Sequence, residues 1–164
     1  MIGSGVAAVI VSIVALIVLG SGASSATSVG TVAASPVNRT FSFINKPNSS
    51  TRTLININSL LVNARCDSRG NPVVFAFTSA GSADIFGRMF DGFGRGHIIK
   101  NSAFTRASKG VSLSPNVAGD FNSSGTVMFE RSNGQVVTVN YAFDNATTLN
   151  RQNLCTVYGS VTAT

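Results

Sequence analysis

The chain has 164 residues, of which only 12 are Lys or Arg and six are Asp or Glu, with a single His and a net charge of +6. Setting aside an uncharged N-terminal stretch leaves about 130 residues, enough for one domain with a real core. So few ionisable groups exclude most acid–base and metal chemistry, and the surplus positive charge is too diffuse to single out one anionic partner.

The first ionisable side chain is Arg39, and within the charge-free stretch Val6–Leu19 is apolar except for Ser12. Three readings suit such a run. A signal peptide matches the length, with Ser21-Gly22-Ala23 or Ser24-Ser25-Ala26 as a cleavage site, but Met1–Gly5 lacks the basic residues of an n-region. A membrane-spanning helix needs about 20 apolar residues, which Ile2–Ala23 supplies without basic or aromatic anchors. The third reading is a helix packed against copies of itself, through Val6, Val9, Ile10, Ile13, Val14, Ile17 and Val18. Lacking Pro and internal Gly and exceeding an ordinary strand in length, the run is expected to be α-helical.

The division expected is a helix over 1–30, a linker over 31–37 and a β-domain over 38–164. Thr40–Ile44 alternates as a half-buried strand does, and Lys46–Ser50 is a turn. Thr53–Cys66 reads as one strand, whose Leu60, Val62, Ala64 and Cys66 share the buried face. Asp67–Pro72 is a turn leading into a strand over Val73–Thr78. Asn133-Gly134 joins Thr126–Glu130 to Val136–Phe143 as a hairpin with Val137, Val139, Tyr141 and Phe143 inward. The final strand places Cys155, Val157, Gly159 and Val161 on one face. About seven short strands, most readily an antiparallel β-sandwich, follow from this pattern.

Cys66 and Cys155, both at inward positions of strands, are expected to form one disulfide, as suits an exported chain. Neither has the neighbouring Cys or His that a zinc site would need.

Ala80–Asn122 reads as the least regular part, with short strands possible at Ile98–Phe104 and Gly110–Leu113. It contains five of the basic residues and the segment Phe86-Gly87-Arg88-Met89-Phe90-Asp91-Gly92-Phe93-Gly94-Arg95-Gly96. Phe86, Arg88, Phe90, Phe93 and Arg95 could grip a phosphate backbone and stack on bases. The favoured reading is a loop whose phenylalanines turn inward to close the end of the sandwich, so nucleic acid is not expected as a partner.

Asp67, Asp84, Asp91, Asp120, Glu130 and Asp144 fall mostly in turns, and His97 stands alone beside an apolar pair. No nucleophile elbow, phosphate loop or metal-binding pattern accompanies them, so no enzyme, cofactor or metal is expected. Asn38, Asn48, Asn122 and Asn145 begin sequons, a number that chance alone gives in a chain this rich in Asn, Ser and Thr.

The apolar run Val6–Leu19, with Gly3 and Gly5 before it, small residues over Gly20–Ser28 behind it and a β-domain beyond, resembles the type IV pilin superfamily, its archaeal-type pilins and archaellins above all. Residue 5 is Gly where bacterial pilins carry Glu, and no basic-Gly processing site precedes the run. The resemblance implies an extracellular or cell-surface filament of identical subunits, membrane-embedded before assembly, with helices in the core and β-domains outside. A membrane-anchored adhesin or accessory subunit, and a secreted binding module with its signal peptide still attached, are the alternatives.

Overall fold

The computed structural model describes residues 35–114, 122–144 and 154–164. The run Val6–Leu19 with its expected helix, most of the expected linker 31–37, and Asn145 lie outside the described residues. What is described belongs to the unit Ala34–Thr164.

This unit is all-β, and its ten described strands are all antiparallel: β1 (Val37–Asn45), β2 (Arg52–Ile57), β3 (Leu60–Cys66), β4 (Pro72–Thr78), β5 (Ala83–Phe90), β6 (Gly96–Asn101), β7 (Val111–Ser112), β8 (Ser123–Arg131), β9 (Val136–Asp144) and β10 (Cys155–Ala163). They form a six-stranded sheet in the order β1-β10-β9-β8-β5-β6 and a four-stranded sheet in the order β2-β3-β4-β7. The chain changes sheet after β1, β4, β6 and β7.

Period-two patterning builds the core. Phe43, Val127, Phe129, Val137, Val139, Phe143 and Val157 point inward from the larger sheet, and Ile55, Leu60, Val62, Ala64, Val74 and Ala76 face them from the smaller one. The inward set foreseen on β9 and β10 holds throughout.

Two expectations about strands are corrected. The run Thr53–Cys66 is two strands, because Asn58 and Ser59 take positive φ values of 45° and 69° and reverse the chain in a two-residue turn. The Phe- and Gly-rich segment is only partly a loop: Phe86–Phe90 lies in β5, hydrogen-bonded between β6 and β8, and Asp91–Arg95 is the turn from β5 to β6. Phe104, farther along the chain, is fully buried and lies edge-on to Phe129 at 6.1 Å. Phe86, Phe90 and Phe93 are exposed.

One turn design recurs three times. In Asp67–Asn71, Asp91–Arg95 and Arg131–Gln135 the first residue's N–H donates to the fifth carbonyl, and the fourth residue is a Gly with φ of 82°, 77° and 81° that donates back to the first carbonyl. A turn followed by a left-handed glycine is the usual three-residue hairpin connection, and a side chain there would meet the steric penalty that glycine avoids. The hairpin marked by Asn133-Gly134 therefore exists, with a three-residue loop.

Cys66 at the end of β3 and Cys155 at the start of β10 are bonded, with Cα atoms 5.9 Å apart and no solvent exposure. Sheets usually stack at about 10 Å, so the bridge sits where the two sheets converge. The β1–β2 connection is tied to the same corner, since Cys66 N–H donates to Ser49 Oγ and Asn48 N–H to the Asp67 carbonyl. The residues joined are 89 apart. In the chain-entropy description, closing such a loop stabilises the fold by about 4–5 kcal/mol. Unfolding by urea with the bridge intact and after replacing both cysteines by Ala measures this directly. A stability loss of that size is expected; equal midpoints would show that the bridge is incidental.

Candidate binding groove

The site begins with an unusual row on the inner face of the large sheet. Pairing across the strands places Phe41, Gly159, Tyr141, Gly125 and Met89 side by side. Rings alternate with glycines because the rings lie across them. A Cβ on Gly159 would stand 2.7 Å from Phe41 Cζ, and one on Gly125 would stand 2.7 Å from Tyr141 Oη. Tyr141 also stacks on Phe143, with ring centroids 5.5 Å apart. Burial pushes its phenol pKa upward, and its hydroxyl has no hydrogen-bond partner among the described residues. The glycines at these inward positions make room for the neighbouring rings to lie against the sheet.

On that outer surface lies a groove of about 980 Å³ spanning β1, β10, β9, β8 and β5. Its outward side chains fall into two rows. Ser42, Tyr158, Ala142, Ser124 and Phe90 form one, and Thr40, Ser160, Asn140, Thr126 and Arg88 the other. Tyr158 and Phe90 are exposed aromatic walls separated by the small residues Ala142 and Ser124. Three strand spacings separate the walls, or about 14 Å. Thr126 Oγ1 donates to Asn140 Oδ1 at 2.7 Å, and the amide nitrogen of Asn140 has no partner among the described residues. Arg88 holds its guanidinium carbon 5.9 Å from the centre of the Phe90 ring. Among the described residues the lining has this one cation and no carboxylate.

The basic and aromatic residues singled out in the sequence are thus divided. Arg88 and Phe90 enter the groove, while Phe86 sits one row away beside Met128 and Lys100. Phe93 and Arg95 belong to the turn between β5 and β6, where the Arg95 guanidinium lies 5.0 Å from the Phe93 ring centre. Thr40, Ser42, Ser124, Thr126, Asn140, Tyr158 and Ser160 were not foreseen. Their only signal is a run of hydroxyl and amide residues at outward strand positions, with Tyr158 as a large ring among them.

Arg95 is further committed to Asp91. That carboxylate is shut off from solvent and accepts hydrogen bonds from the N–H groups of Phe93 and Arg95 and from Arg95 Nε at 2.7 Å, with His97 Nε2 at 3.2 Å. Burial acts to raise the Asp91 pKa, but the bonds from Arg95 and His97 outweigh it and hold the group at about 2 instead of 3.8. The role is the one expected of a turn Asp, capping backbone amides. Asn38, Asn48 and Asn122 are exposed. Among the described residues no three His, Cys, Asp or Glu side chains are grouped to hold a metal.

No protein-family model matches this chain, and no curated protein and no solved structure matches it. The likeness to pilins therefore rests on the N-terminal sequence alone.

Because folding depresses the Asp91 pKa, the stability it gives is present above its ordinary value near 3.8 and is lost as pH falls through about 2. Titration of its carboxyl carbon by NMR should show a midpoint near 2, with the Arg95 amide following the same curve. A midpoint near 4 would contradict the arrangement.

Proposed function

We propose that the chain is a structural subunit of an extracellular filament, in which Val6–Leu19 is a helix packed against its counterparts and the β-sandwich is displayed outside. The observation that carries this reading is the pairing of a 14-residue, nearly unbroken apolar run with a domain whose two sheets already close a core on each other. Each large apolar side chain removed from water is worth about 1.5–3 kcal/mol, so such a run requires a partner surface. Small, uncharged flanks suit close approach of identical helices, whereas a lipid-spanning helix commonly carries basic or aromatic anchors at its ends. The buried disulfide is consistent with an oxidising, extracellular setting. The sparsely charged Ser, Thr and Asn surface suits a coat exposed to that medium.

A second reading, a membrane-anchored surface domain that binds a ligand, is favoured by the groove on the large sheet. Electron microscopy of purified full-length protein separates the two. Long fibres are expected, and Val11→Asp or Val14→Asp should abolish them while mass measurement still finds the disulfide, because a buried charge in the helix bundle is costly. Polymerisation of those variants, or a wild-type helix surrounded by lipid, would refute the filament.

A further inference from the structure

We infer that the outer groove of the six-stranded sheet is a binding site for a carboxylate-bearing glycan, such as a chain containing uronic or sialic acid. A sugar ring presents an apolar C–H face and a rim of hydroxyls, and the groove offers the complement of each. Tyr158 and Phe90 supply the flat faces, 54% and 45% exposed, that a ring can stack on. Between them the small side chains of Ala142 and Ser124 leave room for the ring to lie against the sheet. The second row supplies hydroxyls that donate and accept, together with the amide nitrogen of Asn140. The volume is at the upper end of the range of about 300–1,000 Å³ usual for small-ligand sites, which suits an oligosaccharide better than one sugar.

Charge selects an acidic sugar. Among the described residues Arg88 is the one ionised side chain in the lining, and no carboxylate pairs with it. Its fork of donors matches a carboxylate in two-point geometry. It already lies over the Phe90 ring, so cation and stacking wall form one unit. Nucleic acid is a poorer match, because gripping a phosphate backbone takes a track of several cations. Here Arg95 is held by Asp91 in the turn, and Arg88 is the one cation of the groove among the described residues.

The test uses purified full-length protein, in detergent or as fibres, with tetra- to hexameric oligogalacturonate and sialyllactose as probes. Methyl-esterified oligogalacturonate and lactose serve as their neutral counterparts. Saturable binding of at least one acidic probe is expected, with its neutral counterpart weaker by about tenfold or more, as follows from losing a charge-assisted bond. Arg88→Gln and Tyr158→Ala should each weaken the acidic probe by a similar factor. Both side chains are exposed on the outer face, so the disulfide and the β-sheet signal should persist. Phe93→Ala, outside the groove, should leave binding unchanged. Three results would overturn the inference: no saturable binding of either acidic probe, equal binding of the neutral counterparts, or binding indifferent to both groove variants. A fourth would be self-association of the β-domains that Tyr158→Ala abolishes, which would assign the groove to a second copy of the chain.

Discussion

The shape of the large sheet depends on the rings of Phe41 and Tyr141 lying across Gly159 and Gly125. Each glycine gives up the apolar contact that a side chain would make, and a neighbouring ring covers the exposed backbone in its place. Gly87 is a related case: a Cβ there would run into the Thr126 carbonyl oxygen and stand 2.7 Å from Val127 Cα. Three of the central strands therefore approach one another, or the rings upon them, more closely than side chains would permit. The groove lies on the far side of the same strands. Inner packing and outer binding surface are two faces of one arrangement.

Around this row the remaining structure acts as a rigid frame. Three glycine-closed hairpin turns fix strand register, and register decides which face each side chain occupies. The disulfide fixes the corner where the sheets converge, and the hydrogen bonds from Cys66 N–H to Ser49 Oγ and from Asn48 N–H to the Asp67 carbonyl tie the β1–β2 connection there. Phe104 closes the sandwich, its N–H donating to the Ala83 carbonyl. On this frame the turn Asp91 pairs with Arg95 and His97.

Strands with one apolar face were legible in the sequence. Val137, Val139, Tyr141 and Phe143 alternate cleanly, and Cys66 and Cys155 fell on inward faces of strands that proved to lie opposite each other. Where the pattern inverts, it misleads. In β5 the outward positions carry Phe86 and Phe90 and an inward one is Gly87, so hydrophobicity points the wrong way and the glycines suggest a loop. The break at Asn58-Ser59 was hidden for another reason: no glycine marks it, and apolar residues continue on both sides. Of the groove, Arg88 and Phe90 alone stood out in the sequence, because Ser42, Phe90, Ser124 and Tyr158 are neighbours only through strand order.

A filament coat and a glycan-binding face are compatible roles, since the groove lies on the sheet surface and the apolar run is a separate stretch of chain. The proposed groove presupposes that the large sheet keeps the packing of its inner row. The most direct measurement compares Gly159→Ala with Gly81→Ala by denaturant unfolding. A Cβ at Gly159 would meet the Asn140 carbonyl oxygen and the Phe41 ring, whereas one at Gly81 meets nothing within 4 Å. Gly159→Ala is predicted to cost about 1–3 kcal/mol or more through overpacking. Gly81→Ala is predicted to be neutral or to stabilise by up to about 1 kcal/mol, by restricting the unfolded chain. If the two variants proved equally stable, the row of rings over glycines would not be what shapes the sheet.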